Sequence, residues 1–425
     1  MKKYNLAFIT RNCGKIDPHS IDSYIEAGGY DTALNIFSRN CENIINEIKK
    51  SELRGRGGAG FPTGTKIEIV YKLNITPKFL VCNADEGEPG NFKDRFLLEN
   101  DPHQLIEGMI ITAYAAGISK GYIYIRGEYN KAIGILEKAI KQARQKGFLG
   151  KNIFGSGFNF DIEIYSGAGA YVCGEEFALI ESIEGKAGRP RNKPPYPVSA
   201  GIFNQPTLIN NVETLSTIPF IIREGAEKYT SIGTPSSKGT RLVSLSGNVN
   251  RRGVFEVPFG ISVHEIIFNL GKGIPGGRRI KMVQLGGASG PCIPPEMIDL
   301  RLDYEEFDKN GLSMGAGAVI VIDDRHDILD ILRNIMVFFR HESCGKCTPC
   351  REGNRHILNI LDKFIARTAT EKDLSTLESI LNVMTDTSFC GLGQAAPTAI
   401  LTALKYFRYE FLSGIYKEFE IRNAV

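Results

Sequence analysis

The residues whose type and spacing are best suited to chemistry are Cys344, Cys347 and Cys350, in a Cys-x-x-Cys-x-x-Cys pattern, with Cys390 further along the same helical tract. Thiolates at this spacing curl around one metal centre. Three of them plus a distant fourth match the ligation of a 4Fe–4S cubane better than tetrahedral zinc, which usually takes separated Cys-x-x-Cys pairs. Zinc and unligated thiols are the competing readings. Lys346, Arg351 and the glycines Gly345, Gly391 and Gly393 can offset thiolate charge and donate backbone hydrogen bonds to sulfur. The other five cysteines, Cys13, Cys41, Cys82, Cys173 and Cys292, are scattered and read as small buried side chains. An odd, unevenly spaced set of nine points to a reducing cytoplasm, not a disulfide scaffold.

A second chemical stretch runs from Arg54 to Lys66 and is dense in glycine. Such a backbone can approach a flat or phosphorylated ligand closely, and Arg54, Arg56 and Lys66 offer charge to a phosphate. Gly55-x-Gly57-x-x-Gly60 formally matches the dinucleotide fingerprint, but a helical segment (Glu42 to Leu53) precedes it where a strand should stand, and Pro62 interrupts the stretch after it. The ending Gly64-Thr65-Lys66 is not that of a Walker A loop. A mobile surface loop is the bland alternative. The apolar run Phe79–Cys82 reads as a buried parallel strand leading into Asn83-Ala-Asp85-Glu86-Gly-Glu88, at the end of a strand where open α/β sheets place ligands. A solvated acidic turn is the alternative there. Ser166 to Glu176 is a second small-residue turn feeding a helix, and Lys193-Pro-Pro-Tyr196-Pro is an extended loop able to line a cleft. A one-electron cluster beside a nucleotide cradle calls for a flavin, which accepts electrons in pairs and passes them singly.

The elements that must position these residues can be read from periodicity. Ile21, Tyr24 and Ile25 continue a capped helix after Asp17-Pro18, and alternating strand and helix patterns from Phe79 to Thr214 predict a mainly parallel sheet covered on both faces. Short strands at Arg241–Leu245, Gly253–Val257 and Met282–Leu285, with a helix at Val263–Leu270, predict a small α+β unit; Ala318–Ile322 is a last buried strand. Beyond Asp327 four helical segments, the last spanning Ala395 to Phe411, suggest a small bundle. The fold class is therefore α/β: a helical lead-in (1–53), a Rossmann-like domain (54–237), an α+β unit (238–325) and a four-helix bundle (326–425). The 425 residues carry a net charge of +3, too little to argue for nucleic acid, and no apolar run is long enough for a membrane span. The Met1-Lys2-Lys3 start does not read as a signal peptide.

Arg54 to Gly64, Cys82 to Gly90, Gly167 to Glu176, Lys193 to Pro197, Asn210 to Thr214 and Glu342 to Arg351 together resemble a known family, in order and over essentially the whole chain. It is the family of FMN- and NADH-binding 51-kDa (NuoF-type) subunits of respiratory complex I and of NAD-linked hydrogenase and formate dehydrogenase diaphorases. The resemblance implies FMN held by Gly55, Arg56, Gly57, Gly58 and Gly60, with Lys66, Asn83, Asp85 and Glu86 at the ring, Tyr171, Gly174, Glu175 and Glu176 as another wall, and Asn210, Asn211 and Thr214 toward the phosphate. NADH would stack between Phe61 and Tyr196, with Glu88 and Lys193 at its polar parts; Glu88 and Glu176 are the implied functional carboxylates. Cys344, Cys347, Cys350 and Cys390 would hold the 4Fe–4S cluster, and the unit at 238–325 would be a ubiquitin-like β-grasp domain. Ile67 and Ile69 stand where the family usually has aromatics, and Phe177 where it has a small polar residue.

Arg11-Asn-Cys-Gly14, Gly286 to Cys292 and Cys390 to Pro397 resemble the soluble, often electron-bifurcating hydrogenase branch more than complex I. The implied enzyme is an NADH dehydrogenase or diaphorase. Its implied partners are a thioredoxin-like 2Fe–2S subunit and a larger iron–sulfur or catalytic subunit, in a cytoplasmic complex or one peripheral to a membrane. The alternatives are the NADH-binding subunit of complex I and a non-catalytic nucleotide-binding subunit.

Overall fold

A computed structural model describes residues 6–415; the Met1-Lys2-Lys3 start and the last ten positions of the 326–425 unit lie outside them. The first sheet is wholly parallel, with spatial order β3-β2-β1-β4: β1 Phe79–Ala84, β2 Lys120–Arg126, β3 Asp161–Gly167 and β4 Thr207–Asn211. Leu80, Val81 and Cys82 of β1 are fully buried, as a central strand covered on both faces requires. The chain builds outward from β1 through β2 to β3, then returns to place β4 on the other side of β1. That reversal opens a crevice at the carboxyl ends of β1 and β4, the position where such sheets bind ligands. Asn83 and Asn211 face each other as register partners at its floor. Strand β4, for which the sequence carries no clear strand pattern, leads directly into the helix Val212–Glu224, capped by the Asn211 side chain accepting from the Glu213 N–H at 2.9 Å.

The second sheet is mixed, ordered β6-β5-β9-β7-β8, with β5 Thr240–Gly247, β6 Gly253–Pro258, β7 Ile280–Leu285, β8 Cys292–Ile293 and β9 Ala318–Asp323. Its own core includes Val243, Leu245, Val257, Val283, Val319 and Val321. The segment expected as one helix over 263–270 forms a single α turn, Val263–Glu265, continued by a π-helical stretch, Ile266–Leu270.

The carboxyl-terminal unit has three long helices, Ile328–Glu342, Thr348–Ile365 and Glu371–Thr387. The expected fourth, Ala395 to Phe411, is broken into Gly391–Ala395, Thr398–Tyr406 and Arg408–Ser413. Pro397 lacks the N–H needed to continue the first of these, and non-helical backbone at Phe407 (φ −129°, ψ 30°) separates the other two. Ile328, Leu329, Leu332, Ile335, Met336 and Phe339 form the buried stripe of the first long helix. They share one apolar cluster with Phe177, Ala178, Leu179 and Ile180, so the cysteine-bearing unit is packed onto the parallel sheet's own helix. Phe177 is 1% exposed there. Ile67 is likewise a core residue, whereas Ile69 is 38% exposed.

Candidate functional site

The glycine stretch closes on itself. Gly55 N–H donates to the Phe61 carbonyl at 2.9 Å and Thr63 N–H to the Leu53 carbonyl at 2.8 Å, tying the two ends of the loop together. Gly58 (φ +118°) and Gly60 (φ +65°) take backbone conformations that a side chain would resist. Pro62 does not interrupt the following helix but begins it: it is the N-cap residue of Thr63–Tyr71, where a missing N–H costs nothing.

This loop, the ends of β1 and β4, the turn before the helix Glu176–Ile183 and the Pro190–Lys193 segment enclose a cleft of about 600 Å³. Of the residues singled out in the sequence, Gly55, Gly57, Gly60, Phe61, Lys66, Asn83, Gly174, Glu175, Glu176, Lys193, Asn210 and Asn211 line it. Lys66 Nζ donates to Glu176 Oε1 at 2.7 Å and to the Ile209 carbonyl at 2.8 Å. Lys193 Nζ lies 2.8 Å from Glu175 Oε1 and 3.6 Å from Glu176 Oε2. Burial would raise the Glu176 carboxyl, but Lys66 and then Lys193 outweigh it and hold the group below its ordinary range. Burial likewise opposes charge on Lys193, and Glu175 with Glu176 reverses that and raises it. The pairs keep the cleft charged yet locally balanced.

The remaining residues stand behind or beside the cleft. Arg54 and Arg56 both turn away. The Arg54 guanidinium lies 4.2 Å from the centre of the Tyr304 ring, and buried Arg56 donates to Tyr229 Oη at 2.8 Å and to the Thr240 carbonyl at 3.1 Å while stacking on Phe259. Thr214 Oγ1 accepts the Arg56 backbone N–H at 2.9 Å, so it fixes the loop. Gly58 backs onto the Gly315–Ala316 backbone. Glu86 accepts from the N–H groups of Asp94 and Arg95, both at 2.9 Å. Glu88 accepts from Tyr171 Oη at 2.5 Å and from Ser289 N–H and Oγ at 2.8 and 2.9 Å, joining β1's loop to the second sheet's unit. Tyr171 also packs edge-on against Phe338, and Tyr196 is 56% exposed outside the cleft wall. Asp85 is half-buried beside Gly174 with its Oδ2 buried and unpartnered, and desolvation raises its pKa to about 7.

Cys390 and Gly391, which the sequence reading set at the cluster, line the cleft as well, and Ala59, Pro190, Arg191, Asn192, Ile209, Phe389 and Gln394, none of them expected from the sequence as site residues, complete it. The dense polar run Arg189-Pro-Arg-Asn-Lys193 was a signal for the Pro190–Asn192 part, and proximity to Cys390 for Phe389 and Gln394. Arg191 is held by Glu181 and by Glu184 (2.8 Å), and its guanidinium lies 5.4 Å from the Phe177 ring centre.

Cys344, Cys347, Cys350 and Cys390 line one small pocket with Val172, Pro190, Ser343, Lys346, Phe389 and Leu392. Cys347 is the N-cap residue of Thr348–Ile365 and Cys390 that of Gly391–Ala395. Gly345 turns the loop at φ +74°, and Gly393 allows close approach: a Cβ there would lie 2.7 Å from Ser388 and 2.9 Å from Cys350 Cβ. Burial, with the neighbouring thiols adding to it and Ser343 opposing, pushes Cys350 up to about 11. A bound metal's positive charge would let thiolates coexist here. Among the described residues no three such groups converge on a point for a single ion. Thiols arrayed around a pocket suit a cluster in which each sulfur binds its own iron. The cleft fits a flavin nucleotide on separate grounds: Asn210 Nδ2 is buried on its wall without a partner, and the helix Val212–Glu224 opens at its floor.

A family model described as the Nuo51 FMN-binding domain matches residues 48–220, and one described as the NADH-ubiquinone oxidoreductase-F iron–sulfur binding region matches 330–414. The chain is 46% identical to the HndC subunit of the NADP-reducing hydrogenase of Solidesulfovibrio fructosivorans, over 96% of this chain and 84% of that one. It is 45% identical to the F 2 subunit of the NADH-quinone oxidoreductase of Rhizobium meliloti, over 96% and 97% respectively. Its fold superposes on a solved NAD+-reducing [NiFe]-hydrogenase chain, H2-reduced, with a TM-score of 0.84 and 38% identity, covering 93% of this chain and 66% of that chain. The protein thus spans just under two thirds of the solved hydrogenase chain. Among the described residues no helix is long and apolar enough to cross a membrane. These relatives are subunits of larger enzymes, which implies partner subunits for this chain too. The chain belongs to the NuoF (Nuo51) family, as an NADH-oxidising flavoprotein subunit that carries FMN and a 4Fe–4S cluster.

Proposed function

We propose that the chain exchanges electrons with NAD(H) at the glycine-lined cleft and passes them singly through the four-cysteine pocket to partner subunits of a soluble, electron-bifurcating hydrogenase or dehydrogenase. The observation that carries this reading is a shared wall: Pro190, Phe389 and Cys390 line both the cleft and the cysteine pocket. Bound FMN would supply the conversion between paired and single electrons, and the cluster one-electron carriage. The chain's own part is positioning and electrostatics.

Gly55, Gly57 and Gly60 give the FMN a backbone cradle; Lys66, Asn83, Asn210 and Asn211 supply donors around it; Gly174, Glu175 and Glu176 close the opposite wall. Glu176 acts by aiming Lys66 and Lys193 into the cleft. NADH enters against Phe61, with Lys193 and exposed Tyr196 at the mouth, and Glu88 serves from the Tyr171 side. Arg56, Gly58, Asp85, Glu86, Tyr171 and Thr214 hold these groups in place from behind. Cys344, Cys347, Cys350 and Cys390 hold the cluster.

The mixed five-stranded sheet with its short helix supports a β-grasp reading of 238–325, between the Rossmann-like unit at 54–237 and the helical cluster unit at 326–425. The partners we assign are a thioredoxin-like 2Fe–2S subunit and a larger iron–sulfur or catalytic subunit, in the cytoplasm. Membership of respiratory complex I is the second reading, favoured by the 45% identity to the Rhizobium quinone oxidoreductase chain. Anaerobic purification with partners, then NADH titration followed by visible absorbance and low-temperature EPR, tests both. Flavin bleaching with a reduced-cluster signal is the expected result, and copurifying quinone-linked membrane subunits would select the second reading. Iron-free, colourless protein containing zinc would overturn the assignment.

A further inference from the structure

The four cysteines do not have equivalent surroundings. Cys350 is the most buried, and two side chains converge on its sulfur: Asn354 Nδ2 at 3.4 Å and Ser343 Oγ at 3.3 Å. Among the described residues no side chain hydrogen-bonds to Cys344, Cys347 or Cys390.

Both donors are fixed in direction. Asn354 follows Cys350 by one helical turn in Thr348–Ile365 and is fully buried. Its Nδ2 also donates to the Phe339 carbonyl at 3.4 Å, while Oδ1 is left buried without a partner. Turning the amide over would set Oδ1 against a carbonyl and a sulfur, so the donor orientation is retained despite the orphaned oxygen. Ser343 Oγ accepts the Gly345 N–H at 3.4 Å, which leaves its hydroxyl hydrogen for Cys350.

From this asymmetry we infer that Asn354 and Ser343 are positioning residues that raise the reduction potential of the cluster through the Cys350 sulfur. Reduction adds one negative charge to the cluster, and donors aimed at a ligating sulfur stabilise the more negative state most. Burial strengthens the effect, because little water competes at that sulfur. The result is a cluster that draws electrons from the flavin side of the Cys390 wall. The inference rests on the four-cysteine cluster assignment.

The test is an EPR-monitored redox titration of the intact, anaerobically purified protein carrying Ser343→Ala or Asn354→Leu, two substitutions of nearly conserved size. Each variant is expected to keep wild-type iron and to shift the midpoint downward, with a several-fold lower reduced fraction at fixed potential. A tenfold loss corresponds to about 59 mV for a one-electron couple. Asn354→Gln, which restores a donor, should recover part of the shift. Iron-replete Ser343→Ala and Asn354→Leu proteins with the wild-type midpoint would overturn the inference. If Asn354→Leu loses iron, the Ser343→Ala midpoint decides. Failure of the cluster assignment is a separate result: wild-type protein without iron or an EPR signal.

Discussion

The cleft and the cysteine pocket meet at Cys390 but are built in opposite ways. The cleft is made where strands end and is lined by backbone, amides and paired charges; a parallel sheet whose central strand is buried up to its cleft end sets its shape before any ligand arrives. The pocket is made where helices begin, from cysteine side chains of which Cys350 and Cys390 resist ionisation through burial. One region is a preformed surface that a ligand joins. The other is a set of ligands that metal completes, so binding and folding are coupled there.

Removing a cluster ligand should give the largest effect. Cys390→Ser is expected to lose most of the iron per chain and to cut electron delivery to partners by more than a hundredfold, while FMN stays bound; iron, sulfide and flavin analyses measure both sides. Loss of flavin together with iron would mean that the shared wall makes the two regions one unit. Gly393→Ala should come next. Its Cβ would press on Ser388 and Cys350, so we expect about 1–3 kcal/mol of destabilisation, lower iron content and unchanged flavin affinity. Thermal unfolding and iron assay check it.

The same contrast explains what the sequence could reveal. Cys344, Cys347 and Cys350 were legible because ligand spacing is local, and Cys390 because it completes the set within one helical unit. The cleft was legible where its parts end strands or open helices, as at Asn83 and Asn210. It was not legible for Arg54 and Arg56, which look like phosphate ligands in a glycine loop yet stack on Tyr304 and Phe259 from the second sheet's unit. Nor was Pro62 legible as a helix start, since the same residue breaks or begins a helix according to the chain before it. Long-range partners decided each of these cases.

Within the cleft, Lys66→Met removes a charged donor held by Glu176 and the Ile209 carbonyl. Charged hydrogen bonds are worth about 1.5–3 kcal/mol, so FMN affinity should fall roughly tenfold to a hundredfold, read by flavin fluorescence, with iron content unchanged. Asp85 gives a smaller, pH-dependent effect. Its folded pKa, raised to about 7 by burial against the pull of Arg126 and with Glu128 and Glu342 adding, lies above an unfolded value of about 4. The folded state then binds more protons, so the stability of flavin-free protein falls as pH rises from about 4 to 7 and levels off above. Asp85→Asn should flatten that fall without abolishing it, because Glu86 and Asp101 are also raised to about 7. Melting temperature against pH is the measurement; a slope identical to wild type would show that Asp85 does not titrate there.

Glu88 should give the smallest effect, and it probes the boundary between the cleft and its supports. Its carboxylate accepts from one hydroxyl of the Tyr171 turn and from two groups of Ser289, so a glutamine amide must turn an NH2 toward at least one donor. The lost bond costs about 1 kcal/mol, or a few degrees of melting temperature in a chain this long. FMN should remain bound, because Glu88 does not touch the cleft lining. Tyr171 carries the change to the turn that bears Gly174 and Glu175, so the KM for NADH should rise by no more than a few-fold in Glu88→Gln, with kcat near wild type. A KM unchanged within error would make Glu88 a tether between the parallel and mixed sheets alone. A tenfold rise would place its carboxylate in contact with NADH and extend the preformed surface past Tyr171 to the second sheet's loop.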